Sequence, residues 1–148
     1  MSHSFVNCLI HLVFSTKHRD KILSPEMQER LWPYLAGIAQ AHGMRALAIG
    51  GTHDHVHVLV SIPSTLTLAQ AAQEFKGASS KWINDTFAIP GGFSWQQGYG
   101  AFSLGISQAE KTVVYINGQR EHHRKRTFQE ELVAFLRAHE MEYNEKYL

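Results

Sequence analysis

Cysteine is almost absent from this chain, which has one residue of that type, Cys8, among its 148 residues. A single cysteine cannot form a disulfide within the chain. The apolar neighbours of Cys8 predict a buried thiol that packs as a small hydrophobic side chain. The N-terminus also lacks a basic segment followed by an apolar stretch, so no secretory signal is predicted and the cytoplasm is the expected compartment.

Long apolar runs are missing too. No segment approaches the ~18 consecutive apolar residues that a membrane-spanning helix needs. The sequence has no internal repeat and no low-complexity segment. Hydrophobic residues make up 44% and charged residues 18% of the chain, which excludes a disordered protein. We therefore expect residues 1–148 to form a single domain with a buried core.

The net charge is only +1, but the charges are unevenly distributed. Five Lys or Arg residues and one Glu lie between Lys111 and Arg126, whereas five Glu and two basic residues lie between Thr127 and Leu148. A basic segment before an acidic one favours a local contact with a polyanion. An ordinary solvated helix surface gives the same pattern and, on charge alone, is the preferred interpretation.

Hydrophobic periodicity predicts the order strand, helix, strand, strand, helix, strand, helix, helix. The predicted strands cover residues 5–14, 44–50, 52–62 and 93–105. Capping residues predict helices that begin after Ser24, after Thr67 and at a capping box on Ser107, and a last helix spans residues 128–139. Gly77, inside the second helix, indicates that another segment approaches closely there.

This order predicts an α+β protein whose first six elements form a ferredoxin-like split βαβ sheet. In that architecture both crossover helices pack on one face of the sheet. The other face is then free to hold a site, and a C-terminal helix that carries Tyr115 is expected to cover it.

Three histidines alternate along the third predicted strand, at His53, His55 and His57. Because successive side chains of a strand point to opposite faces, the three imidazoles share one face and the intervening valines form an apolar face. Imidazoles that converge on one face can bind a divalent metal ion. His55 and His57 are the predicted ligands, and His53 flanks them.

Tyr115 and Gln119 are four residues apart and therefore lie on one side of the predicted third helix. If this helix covers the free face of the sheet, both side chains meet His55 and His57. Two imidazoles and an amide oxygen make a mixed nitrogen and oxygen site, which suits Mg²⁺ or Mn²⁺. Tyr115 is then a candidate nucleophile for attack on a phosphodiester.

The histidine strand resembles the His-hydrophobic-His motif of the HUH nucleases, and nearly the whole chain is similar to the single-tyrosine HUH transposases. These are the small enzymes of insertion sequences that move as single-stranded DNA. The similar segments, in chain order, are Phe14-x-Thr16-Lys17-x-Arg19, Asp54-His55-Val56-His57, Phe75-Lys76-Gly77, Trp95-Gln96-x-Gly98-Tyr99, Tyr115-Ile116-x-x-Gln119-x-x-His122-His123 and Phe128-Gln129-Glu130-Glu131.

This resemblance implies metal-dependent cleavage and rejoining of single-stranded DNA through a covalent bond between Tyr115 and a 5′ phosphate. It implies that His55, His57 and Gln119 bind the metal ion. It also implies recognition of imperfect DNA hairpins by a homodimer, in which the tyrosine helix of one subunit can complete the site of the other. The family commonly has Asn before the glutamine, where this chain has Gly118, and glycine loosens the helix there.

Gly118 leaves open a second interpretation, a catalytically impaired descendant that only binds DNA hairpins. A third is a hydrolase of another substrate, in which water is the nucleophile. It ranks last because Asp54 is the only acidic residue close to the histidines in the sequence. The candidate DNA contacts are Lys76, His122, His123, Arg124, Lys125 and Arg126. The candidates for stacking on unpaired bases are Trp95, Tyr99 and Phe102.

Overall fold

The computed structural model describes residues 3–123 and 125–148. Its centre is an antiparallel sheet of four strands in the order β2-β3-β1-β4. The strands are β1 (Leu9–Ser15), β2 (Arg45–Gly51), β3 (His55–Ser61) and β4 (Gly100–Leu104). The helices are α1 (Pro25–Ala41), α2 (Leu68–Thr86), α3 (Ala109–Asn117), α4 (Gln119–His122) and α5 (Phe128–Ala138). This order of elements and strands confirms the predicted ferredoxin-like arrangement.

The first face of the sheet carries the larger core. Val56, Val58 and Val60 of β3 pack there with alternate residues of β1 and with the apolar sides of α1 and α2. The predicted caps hold both helices, since the Ser24 side chain accepts a hydrogen bond at the start of α1 and Thr67 forms a capping box at the start of α2. The predicted valine core is therefore confirmed.

The second face is covered by α3 and α5. Ile116 of α3 packs against Leu59 of β3, and Phe128 of α5 packs against Val13 of β1 and Phe102 of β4. Strands β1 and β3 are therefore buried on both sides. The helix that carries Tyr115 covers the second face, as predicted.

Three local predictions were wrong. Cys8 is exposed, because β1 begins at Leu9 and not at residue 5 as predicted. The fourth strand is shorter than predicted, and Trp95 makes only an isolated bridge with Thr16. The predicted capping box at Ser107 does not form. A short 3-10 turn precedes α3, and in it the side-chain oxygen of Gln108 accepts a hydrogen bond from the backbone N–H of Gly105. Within the described ranges, no helix is long and apolar enough to cross a membrane.

The close approach of another segment occurs at a different glycine from the one predicted. A Cβ atom on Gly77 would have no described atom within 4 Å of it outside its own helix. A Cβ atom on Gly50, in contrast, would lie 2.4 Å from the backbone oxygen of Ile116. Gly50 is therefore what allows α3 to lie directly against β2.

We expect Gly50→Ala to lower the free energy of unfolding by about 1–3 kcal/mol, because the added methyl group meets backbone, which cannot rotate away. Gly77→Ala is the matched control. It adds the same methyl group at an open helical position and should raise the free energy of unfolding by about 0.5–1 kcal/mol. Urea unfolding followed by circular dichroism measures both. Equal midpoints for Gly50→Ala and the unsubstituted protein would contradict the expectation.

Candidate active site

Strand β3 places His55 and His57 on the second face of the sheet. Both imidazoles are completely buried, with 0% of each residue exposed. His53 precedes the strand and is exposed. The predicted pattern of three aligned histidines therefore holds for two of them, and His53 lies outside the cluster.

A third histidine, His11 of β1, lies beside His57. The two rings are joined by a hydrogen bond of 2.7 Å between His11 Nε2 and His57 Nδ1. Burial lowers the pKa of His57 to about 4, although Glu131 acts in the opposite direction. Burial and the neighbouring His57 lower the pKa of His11 to about 3. Both rings are therefore neutral at pH 7, and the bond from His11 leaves His57 Nε2 facing the covering helices.

Both ring nitrogens of His55 also have close polar neighbours. Its Nδ1 lies 2.7 Å from the Asp54 carboxylate, while its Nε2 lies 3.0 Å from the amide oxygen of Gln119. Burial opposes ionisation of Asp54, but the hydrogen bond from His55 outweighs it and holds the pKa of this carboxyl below its usual value. When the carboxylate accepts a hydrogen bond from Nδ1–H, Nε2 carries a lone pair that faces the oxygen of Gln119. A bound cation would satisfy both atoms.

Glu131 of α5 joins the two sides of the site. It is almost fully buried, and its Oε1 lies 2.8 Å from His57 Nε2. Its other oxygen lies 3.2 Å from His123 Nε2 and accepts a hydrogen bond from the Tyr115 hydroxyl. Burial opposes the charge, but the hydrogen bonds from His123 and His57 hold the pKa of Glu131 far below its usual value. Glu131 is therefore an ionised carboxylate at the centre of the cluster.

Tyr115 is half-buried, and its hydroxyl points into the cluster. Besides its bond to Glu131, the hydroxyl oxygen lies 3.3 Å from His122 Nε2. Burial and the neighbouring carboxylate raise the pKa of the phenol well above its usual value, so the hydroxyl keeps its proton at pH 7. One chain thus brings the candidate nucleophile to the buried histidines.

Four of these side chains form a group that could hold a metal ion: His55, His57, His123 and Glu131. Their ligand atoms all lie within 4.8 Å of one another. Two adjacent ligands at ~2.1 Å from an octahedral ion are ~3.0 Å apart. Glu131 Oε1 lies 2.8 Å from His57 Nε2 and 3.7 Å from His55 Nε2, and Glu131 Oε2 lies 3.2 Å from His123 Nε2. The donor atoms therefore fit a divalent cation, and Gln119 lies at the edge of the group, beside His55.

The candidate DNA contacts fall in three places. Lys76 donates to the backbone oxygens of Gln96 and Gly98, at 2.8 and 2.6 Å, and so anchors a loop. His122 and His123 belong to the cluster around Glu131. Lys125 and Arg126 are exposed. Arg124 lies outside the described residues.

Sequence reasoning missed His11 and Glu131 as members of the site. His11 lies between Leu9 and Val13 on the second face of a strand that is otherwise apolar on both sides. Glu131 lies in the apolar stripe that Phe128, Leu132 and Phe135 define at helical spacing. A polar residue in an apolar stripe was therefore the available signal in both cases.

Several known transposases are similar in sequence. The chain is 26% identical over 126 residues to the "Transposase for insertion sequence element IS200" of Salmonella typhimurium, and 82% of each chain is covered. It is 24% identical over 116 residues to the ISDra2 transposase TnpA of Deinococcus radiodurans, which covers 75% of this chain and 83% of that one.

Two solved structures share the fold. A putative transposase from Deinococcus radiodurans superposes with a TM-score of 0.66 at 24% identity, over 80% of this chain and 95% of that one. A REP-associated tyrosine transposase bound to a REP hairpin superposes with a TM-score of 0.60 at 12% identity, over 83% of this chain and 73% of that one. The family model described as "Transposase IS200 like" matches residues 4–119, which include every strand, Tyr115 and Gln119, and the chain therefore belongs to the IS200-like transposase family.

Proposed function

We propose that this transposase cuts and rejoins single-stranded DNA at the ends of an insertion sequence, with Tyr115 as the nucleophile. The observation that carries the proposal is the hydrogen-bonded path from the Tyr115 hydroxyl through Glu131 to His57. A phenol, a carboxylate and imidazoles meet there on one sheet face, which is what tyrosine attack beside a cation site requires.

The reaction exchanges one phosphorus–oxygen bond for another. The phenol oxygen of Tyr115 bonds to the phosphorus, and the bond from phosphorus to the 3′ oxygen breaks. The phenol gives up one proton and the leaving 3′ oxygen takes one up, so no other reactant is consumed. The 5′-phosphotyrosine keeps the bond energy, and a 3′ hydroxyl can later reverse the step and rejoin the strands without ATP.

We propose His55, His57 and Gln119 as ligands of a divalent metal ion, Mg²⁺ or Mn²⁺, with His123 and Glu131 as further donors in the same group. When bound, the ion supplies positive charge that polarises a phosphate oxygen. Asp54 and His11 orient the two imidazoles through their Nδ1 atoms, so that both Nε2 atoms face the same space. Glu131 holds the phenol beside that space.

Gly118 does not displace Gln119. Helix α3 ends at Asn117 and α4 begins at Gln119, so the helix is interrupted at Gly118. The amide oxygen of Gln119 nevertheless lies 3.0 Å from His55 Nε2. This geometry favours the active enzyme over the catalytically impaired hairpin-binding descendant.

The hydrolase alternative gains a base that sequence reasoning did not place. Glu131 provides a buried carboxylate beside the histidines, where Asp54 had been the only candidate. Because this carboxylate is bonded to the Tyr115 hydroxyl, the phenol is the group that it positions for attack. We therefore prefer tyrosine chemistry, and removal of the Tyr115 hydroxyl separates the two reactions.

The proposed DNA substrate carries imperfect hairpins, and the proposed functional unit is a homodimer in the cytoplasm. A solved structure with the same fold is bound to a REP hairpin. Lys125 and Arg126 are exposed directly after the cluster and can reach a DNA backbone.

The proposed contact between the two copies involves the tyrosine helix. Val114 lies on the outer side of this helix and is 67% exposed, so a second copy can cover it.

For metal binding, we expect His57→Ala to weaken Mn²⁺ affinity at least tenfold, because it removes a ligand from the group. Asp54→Asn should weaken it about 10- to 100-fold, since the partner that orients His55 loses its charge. His42→Ala is the matched control, because this histidine pairs with Glu74 of α2, at 3.0 Å, and does not belong to the cluster. Electron paramagnetic resonance of free Mn²⁺ measures all three, with circular dichroism to establish folding. Unchanged affinity in folded His57→Ala would refute the metal site.

For catalysis, we expect the protein to form a covalent adduct with a single-stranded DNA that contains the hairpin and cleavage site of its own element, in Mg²⁺ or Mn²⁺. Tyr115→Phe should remove the adduct completely, because it deletes the attacking oxygen. Tyr34→Phe is the matched control, since this ring stacks on Trp82 in the first core. Denaturing gel electrophoresis detects the adduct. Cleavage without an adduct in Tyr115→Phe would instead establish the hydrolase.

For assembly, we expect sedimentation equilibrium to give a mass twice that of one chain. Val114→Lys should shift the protein toward the monomer, because it places a charge on the proposed contact surface. Lys111→Glu, on an exposed residue of the same helix, controls for a change of charge. A monomeric unsubstituted protein at all concentrations would exclude the homodimer.

A further inference from the structure

Next to the active site lies a second feature, a cavity of about 740 Å³ between β1, the loop before β4, α5 and the last residues of the chain. Phe128 forms the wall between them. Its ring lines the cavity and also stacks on His55, with 4.6 Å between the ring centroids. A strand of DNA that reaches the histidines would therefore have this cavity one side chain away.

The cavity is cationic on one rim. His18 and Arg19 line it, and both have left-handed backbone angles, with φ of 58° and 54°, which residues other than glycine rarely adopt. Gln96 holds this turn, because its side-chain oxygen accepts a hydrogen bond of 3.0 Å from the His18 backbone. Lys76 in turn holds Gln96, because its ammonium group donates a hydrogen bond of 2.8 Å to the backbone oxygen of Gln96. Helix α2 and the loop that carries Gln96 thus maintain an unfavourable backbone that presents Arg19 to the cavity.

The cavity also has aromatic lining residues. Tyr99, Tyr143 and Tyr147 line the cavity, and Tyr99 is 42% and Tyr147 75% exposed. Lys146 lies over the Tyr147 ring, with its ammonium 5.6 Å from the ring centroid. Trp95 and Phe102, in contrast, are 8% and 3% exposed and belong to the cores. Among the three aromatic residues that sequence reasoning proposed for stacking, Tyr99 alone has a ring that a base can reach.

The polar groups of the cavity match a nucleotide. Among the described residues that line it, none has an acidic side chain, while Arg19 and Lys146 are cationic. The side-chain NH₂ groups of Gln96 and Asn144 can donate to the edge of a base, while their oxygens accept hydrogen bonds from the backbones of His18 and Lys146. Another cavity among the described residues lacks this pattern, because Glu130 and Glu145 line it together with Arg126.

We propose that this cavity binds an unpaired nucleotide of the DNA strand next to the phosphate that Tyr115 attacks. The base stacks on Tyr99, and the backbone phosphates lie against Arg19 and Lys146. The assignment rests on the proposed function, since it places the strand relative to Tyr115. It adds protein contacts to the unpaired strand itself, separate from any contact with a hairpin. Lys76 and Gln96 are then positioning residues that hold the basic turn in place.

Binding without cleavage tests the proposal. The full chain with Tyr115→Phe and EDTA is titrated against a fluorescein-labelled oligothymidylate of about eight nucleotides, and fluorescence anisotropy gives the affinity. We expect Tyr99→Ala to weaken binding at least about fivefold, which is the smaller end of the loss for one stacked base. Tyr99→Phe keeps the ring and should bind like the parent. Phe5→Ala removes an exposed ring outside the cavity and should have no effect.

A hairpin without single-stranded extensions is the second probe. Tyr99→Ala should leave its affinity unchanged, because a paired base cannot enter the cavity. The proposal is overturned if the parent protein does not bind the oligothymidylate, if Tyr99→Ala binds it equally well, or if Tyr99→Ala weakens both probes alike. These outcomes leave the Tyr115 adduct untouched, whereas a missing adduct with normal oligothymidylate binding would refute the tyrosine chemistry and keep the cavity.

Discussion

Burial of β3 on both faces is the constraint from which the rest of the site follows. A strand covered on one side only could leave His55 and His57 in water, but here both imidazoles are fully enclosed. A buried polar group without a partner is costly, so each ring nitrogen needs one. His11 and Asp54 satisfy the Nδ1 atoms, while Gln119 and Glu131 face the Nε2 atoms. The covering helices therefore carry polar side chains at the positions above the histidines and apolar ones elsewhere.

The same constraint explains how the tyrosine helix is positioned. Helix α3 has few residues, and an isolated helix of that length is unstable in water. It is held by the contact of its backbone with Gly50 and by Ile116 against Leu59. Gly118 then separates α3 from α4, so that Tyr115 and Gln119 approach the cluster from two short helices. Gly118 is thus compatible with both side chains reaching the site.

Local periodicity was sufficient for the fold and for half of the site. Alternation in β3 identified His55 and His57, and the spacing of four residues linked Tyr115 with Gln119, because both signals depend only on neighbours along the chain. His11 and Glu131 each interrupt an apolar stripe, but which groups they meet depends on the register between β1 and β3 and on how α5 crosses the sheet, and no local pattern encodes those contacts. Resemblance to a family supplied the order of the motifs, but not the loop role of Lys76, which becomes visible only when its ammonium meets two backbone oxygens.

Glu131 also constrains how a phosphate of DNA could reach Tyr115 in the proposed reaction. Its carboxylate contacts His57, His123 and the Tyr115 hydroxyl at once, and α5 buries it almost completely. A phosphate group that approaches the Tyr115 hydroxyl meets this carboxylate, and two anions so close together repel each other strongly. Under the proposed function, a cation bound by the histidines and Glu131 would offset that repulsion. The site would therefore need the cation in order to place a phosphate beside the phenol.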